Sequence, residues 1–109
     1  MPFDRRDRFV PTLQKYVATF LEQAFSGDTI ITVTRISVSK DLRKATIFVS
    51  IYPSERAQVV FEKIKGRARE LRSYVKSHLE SKIVPFFDFE LDKGEENRQR
   101  VEELFRDLE

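Results

Sequence analysis

Residues 30–52 read IITVTRISVSKDLRKATIFVSIY, and residues 54–91 follow as SERAQVVFEKIKGRARELRSYVKSHLESKIVPFFDFEL. The first stretch is two β-branched runs around a polar turn. Ile31 and Val33 alternate, then the phase slips to Ile36 and Val38, which predicts a β-bulge near Thr34-Arg35. After the turn Lys40–Lys44, residues 45–52 alternate cleanly. Ala45, Ile47, Val49 and Ile51 share one face, with Phe48 and Tyr52 on the other. The simplest pairing is an antiparallel hairpin.

The second stretch changes period. Ala57, Val60, Phe61 and Ile64 recur at helical spacing after Ser54, a suitable N-cap. Gly66 interrupts, and the pattern resumes with Ala68, Leu71, Val75 and Leu79. Two helices are expected, about 54–65 and 67–81, meeting in a kink at Gly66. Pro85 pushes Val84 toward extended geometry. Residues 86–91 then read as a third strand with Phe87, Phe89 and Leu91 on one side, which can pair with either earlier strand.

Upstream, Leu13, Val17, Phe20, Leu21 and Ala24 mark an amphipathic helix over residues 9–25. Pro11 fits only its first turn, so the helix is expected to start close to Val10. Gly27 is the expected left-handed stop. Downstream, residues 95–108 read as a charged helix with Val101, Leu104, Phe105 and Leu108 on one side. The order is α-β-β-α-α-β plus a C-terminal helix. It is an α+β domain over 1–92, with a three-stranded sheet covered by helices on one face, and an acidic extension over 93–109. This is the order of a type II KH-like domain.

Composition narrows the chemistry. The chain has 109 residues, enough for one domain, and no cysteine. Thiol nucleophiles, disulfides and cysteine zinc sites are excluded, and the lack of disulfides favours the cytoplasm. Met1–Arg8 is charged with no apolar run behind it, unlike a signal peptide, and no stretch is long enough to span a membrane. Net charge is only +2, but residues 1–85 hold 16 Lys/Arg against 9 Asp/Glu (+7), while residues 86–109 hold 4 against 9 (−5). A basic body of this kind suggests a polyanion partner.

Catalytic groups are sparse. His78 is the single histidine and lies beside an apolar helix face, where a structural role is the usual one. Asp88, Glu90 and Asp92 alternate along the third strand and could hold a divalent cation, although the solvent face of an edge strand explains them better. No phosphate-cradling glycine loop exists. No catalytic residue, metal or cofactor is expected, and no small-molecule substrate.

The basic signal is sharper. Lys65, Arg69, Arg72 and Lys76 are spaced by four, three and four residues and would share one helix face if the bend at Gly66 is modest. Such a row can track phosphate oxygens, with arginine adding bidentate recognition. KH domains hold nucleic-acid backbone with a G-x-x-G loop. Here that segment is Gly66-Arg67-Ala68-Arg69, without the second glycine, which points to folded RNA met by shape and charge.

The segment Val38–Ala45 with the strand Thr46–Ile51 resembles the hairpin of the ribosome-binding factor A family. So do Leu71-Arg72-Ser73, the later Lys82-Ile83-Val84-Pro85 and the aromatic strand ending at Leu91-Asp92. The resemblance spans about residues 8–105. It departs from the family in two places: Arg67-Ala68-Arg69 replaces a small-residue Ala-x-Gly kink, and the connector Ser26–Ile30 is short. The resemblance implies a KH-like fold without enzymatic activity. It also implies binding to the immature 30S subunit, contact with 16S ribosomal RNA and help with its maturation, including 5′-end processing. Arg43, Lys44, Lys65, Arg67, Arg69, Arg72, Lys76 and Lys82 are the expected RNA-facing residues of a monomer. The competing reading is a protein-interaction module that uses the edge strand and the acidic C-terminal helix.

Overall fold

The computed structural model describes residues 5–25 and 27–92. The expected helix over 95–108 lies outside the described residues. Helix α1 spans Arg5–Ala24, strand β1 Ile30–Val38 and strand β2 Lys44–Tyr52. A 3-10 turn over Ser54–Arg56 leads into α2 (Ala57–Lys65), followed by α3 (Ala68–His78) and β3 (Phe86–Leu91).

The sheet has the order β1-β2-β3. β1 and β2 are antiparallel, with Val38 opposite Ala45 and Ile31 opposite Ile51. The phase slip is a bulge: Val33 pairs with Val49 and Arg35 with Phe48, leaving Thr34 as the extra residue. β3 lies parallel to β2, Ala45 opposite Phe87 and Ile47 opposite Phe89. A parallel partner requires a crossover, and α2 and α3 supply it.

The three described α-helices pack on one face of the sheet. Alternation in β2 buries Ala45, Ile47, Val49 and Ile51, and β3 adds Phe87 and Phe89. Leu13, Val17 and Leu21 of α1, Phe61 and Ile64 of α2, and Leu71 and Val75 of α3 close over them. The element order and the one-sided layering are those of the type II KH-like arrangement.

Helix α1 starts earlier than its proline suggests, at Arg5 with Pro11 inside it. Tertiary packing overrides the local rule here. Phe9 and Val10 lie against the core, and Arg6 Nη1 donates to the Val38 carbonyl at 3.3 Å, so the turn before Pro11 is held from outside the helix. Gly27 adopts a positive φ of 134° with open space around it, so backbone freedom is what the position uses.

Ser54 does not cap. It opens the 3-10 turn without a side-chain hydrogen bond, and α2 follows from Arg56, likewise uncapped by a side chain. Helix α3 also stops sooner than the apolar pattern, at His78. Leu79 turns extended (φ −87°, ψ 125°) yet still packs on the core.

The break between α2 and α3 falls where expected but has a different cause. Gly66 has φ −66° and ψ −14°, ordinary helical values, and a Cβ built there would meet only the Lys63 and Glu62 carbonyls at 3.5 and 3.7 Å. The chain departs from helix at Arg67 (φ −109°, ψ 16°). The bend therefore does not need a glycine. Gly66→Ala should leave the fold intact and raise stability by about 0.4–1 kcal/mol through the unfolded chain, read as a higher urea midpoint.

The turn between β1 and β2 holds a buried residue that its polar sequence conceals. Leu42 is 6% exposed and takes φ +63°, a left-handed conformation that costs a leucine roughly 1–2 kcal/mol. A dense set of bonds holds it. The Leu42 amide donates to the Ser39 carbonyl (2.9 Å), Ser39 Oγ donates to Asp41 Oδ1 (2.7 Å), and the Arg43 amide donates to the same oxygen (3.0 Å). The Ser39 hydroxyl, then the Arg43 amide, hold the Asp41 carboxyl below its ordinary value.

Candidate nucleic-acid interface

Outside the core, the exposed flank of α3 runs beside β3. Its side chains at Ala68, Arg69, Arg72, Ser73 and Lys76 face Phe86, Phe87 and Asp88 across a groove of about 600 Å³. Three cations of the expected row thus meet in one groove.

They differ in how they are held. Arg72 is half-buried. Its Nη2 donates to the Val84 carbonyl at 3.3 Å, and its guanidinium carbon lies 4.2 Å from the centre of the Phe86 ring. Its Nε is buried with no hydrogen-bond partner among the described residues. Arg72 therefore fixes the start of β3 to α3 as well as adding charge. Arg69 and Lys76, one turn to either side, are exposed. Cations held at this spacing can neutralise successive phosphates of an RNA backbone.

Phe86 is 64% exposed and forms the aromatic wall of the groove. The sequence reading names Phe87 and Phe89 on this strand and gives Phe86 no role. The signal was present: with Phe87 and Phe89 pointing inward, alternation puts Phe86 and Asp88 on the other side. Arg35 is a second omission. It is exposed on the open face of the sheet, 4.1 Å from the centre of the Phe48 ring.

The other expected residues divide. Arg43 and Lys44 are exposed and adjoin the start of β3 through the backbone, the Phe86 amide donating to the Arg43 carbonyl (2.8 Å) and Lys44 pairing with Phe86, but neither lines the groove. Lys65 remains on the α2 side of the break, 3.3 Å from Glu62 and over the Phe61 ring, and does not line the groove. Lys82 stands on the loop after α3, in a different depression with Arg8.

Arg67 faces α1. Its Nη1 donates to the Ala24 carbonyl at 3.4 Å, its Nη2 pairs with Glu70 at 2.5 Å, and its guanidinium lies 5.7 and 5.5 Å from the Phe20 and Phe25 rings. A cation at the end of α1 also opposes the helix dipole there. Arg67 ties the break between α2 and α3 to the first helix. Arg67→Ala should cost about 1–2 kcal/mol in urea denaturation, and Arg67→Lys should restore only part, since lysine lacks the planar fork.

His78 is part of an aromatic stack. Its ring lies 4.3 Å from Tyr74 and 5.7 Å from Tyr16, and Nδ1 is 2.8 Å from the Tyr74 carbonyl. The acidic trio on β3 is dispersed in use. Asp88 lines the cationic groove, and Asp92 Oδ2 accepts from the Thr34 hydroxyl at 2.6 Å. Among the described residues, no group of three or more His, Asp or Glu side chains is placed to hold a metal, and no helix is long and apolar enough to cross a membrane.

Comparison with known proteins gives one family throughout. The family model for ribosome-binding factor A matches residues 5–105. A ribosome-binding factor A of Thermomicrobium roseum is 31% identical over 112 residues, covering 100% of this chain and 87% of the relative. One from Thermodesulfovibrio yellowstonii is 28% identical, covering 98% and 92%. The crystal structure of ribosome-binding factor A from Thermus thermophilus superposes with a TM-score of 0.68 at 17% identity, covering 79% of this chain and 93% of that one. Coordinates of the Thermus thermophilus factor fitted into a cryo-EM map of its complex with the 30S subunit give 0.63 at 18% identity, covering 82% and 93%. With matches of this extent in sequence, and the same fold, the chain belongs to the ribosome-binding factor A family.

Proposed function

We propose that this chain is a cytoplasmic assembly factor that binds the immature small ribosomal subunit as a monomer, contacts 16S ribosomal RNA and promotes its maturation, including processing of the 5′ end. The observation that carries the RNA contact is the groove itself. Arg69, Arg72 and Lys76 converge on it from α3, and Phe86 offers an aromatic wall.

The mechanism is binding without catalysis. An RNA arrangement that fits the groove is favoured over its alternatives by the difference in their contact energies, and it is released when later maturation removes that difference. Phosphate neutralisation releases condensed counterions, so affinity should fall steeply with salt. Cosedimentation with free 30S subunits and with 70S ribosomes across a salt series tests the proposal. The expected result is salt-sensitive association with the free subunits. Absence of association, or association indifferent to salt, would refute it. Maturation is read separately, as accumulation of 16S precursors with an extended 5′ end in cells that lack the protein.

A further inference from the structure

Helix α3 has a second flank. At about 100° per residue, His78 lies about 200° round the helix from Lys76, with the buried Leu71 and Val75 forming the side toward the core. On the His78 side the helix borders a depression of about 680 Å³, walled by the first half of α1, the loop after α3 and the turn at Leu42. Arg8 and Lys82 stand at it, both exposed, with the hydroxyls of Thr12 and Tyr16 and the edge of the Tyr16–His78–Tyr74 stack. Glu80 is the single carboxylate among its described lining residues.

We propose that this depression is a second site for RNA backbone, so that one molecule holds two RNA segments at once, one along each flank of α3. The proposal rests on the RNA-binding reading above and extends it from one contact to two. Two cations on separate elements, with two hydroxyl-bearing side chains in the same lining, are groups that recognise phosphate and ribose. Lys40 is exposed on the adjoining turn, beside the equally exposed carboxylate of Asp41.

The two sites share a stiff wall. The loop after α3 is tied to the first site through Arg72 and the Val84 carbonyl. Around Lys82 it closes on itself, the Ser81 hydroxyl donating to the Ile83 carbonyl at 2.9 Å and accepting from the Ile83 amide at 3.2 Å. The spacing of two bound backbones is therefore set by α3, whose diameter with side chains is about 10–12 Å. A factor with this geometry fixes the relative placement of two RNA elements.

The test uses two short RNA duplexes of unrelated sequence, one carrying a donor dye and the other an acceptor, mixed with the full chain at low salt. Energy transfer between the duplexes and a sedimenting complex of one protein with two duplexes are expected. Arg8→Glu with Lys82→Glu should abolish the transfer and leave a one-to-one complex with a normal circular dichroism spectrum. A wild-type complex that saturates at one duplex overturns the proposal. So does a two-to-two complex, in which each copy holds one duplex, and so does transfer that survives the double substitution. If the wild-type chain binds no duplex and no 30S subunit, the RNA-binding reading fails and takes this proposal with it.

Discussion

Replacing Arg69 and Lys76 together by glutamate should lower affinity for small subunits by on the order of 100-fold at physiological salt and flatten its salt dependence by about two powers of concentration. Both side chains are exposed on the groove flank of α3, and neither is among the residues that form the core. Each substitution removes one phosphate contact and sets a like charge in its place. Because the fold does not depend on either side chain, the thermal midpoint should stay close to wild type, which separates a lost interface from a lost structure. Arg72 is unsuitable for this experiment. Its bond to the Val84 carbonyl and its packing on Phe86 would mix the two effects. Filter binding or cosedimentation at several salt concentrations reads the result. An unchanged slope would place the RNA elsewhere on the protein.

The second large effect is on stability. Leu71 is fully buried near the start of α3, in the core to which α1 and the sheet also contribute. Leu71→Ala should cost about 2–5 kcal/mol, the lost transfer energy plus a cavity that the rigid sheet cannot collapse to fill. Domains of this size have about 5–15 kcal/mol in total, so the urea midpoint should fall by a large fraction. The melting temperature should drop by about 10 °C or more. Leu71→Met, which keeps the volume, should cost less than about 1.5 kcal/mol. Equal losses from the two variants would mean that the site tolerates neither shape nor volume change.

Much of the fold was legible because its signals are periodic. Alternation in β2 and β3 identified the inward side chains, and the slip from Val33 to Ile36 pointed to a bulge near Thr34-Arg35, which the structure has at Thr34. What escaped was decided by contacts between distant residues. Pro11 argued for a late helix start, and Arg6 bonding to Val38 overruled it. Leu42 sits among polar neighbours and gives no local sign that it is buried in a left-handed turn. Gly66 suggested the cause of the kink, whereas the departure from helix is at Arg67, whose side chain reaches α1.

The candidate site divides in the same way. The row on α3 followed from spacing, because Arg69, Arg72 and Lys76 belong to one unbroken helix. Lys65 and Arg67 precede α3 and are engaged with Glu62 and with the end of α1, and neither lines the groove. Phe86 became part of the groove only once β3 was placed beside α3 as an edge strand.

The bond between Thr34 and Asp92 has a mechanical consequence. Asp92 follows the last residue of β3. Its amide donates to the Val49 carbonyl at 2.8 Å, while its carboxylate accepts from the bulged Thr34 of β1, whose hydroxyl also lies 3.2 Å from the Phe48 carbonyl. A pull on the chain beyond residue 92 therefore does not peel β3 from the sheet one bond at a time. The bonds of Asp92 lead part of the load into β2 and β1, so the bulge acts as the cleat to which the end of β3 is made fast.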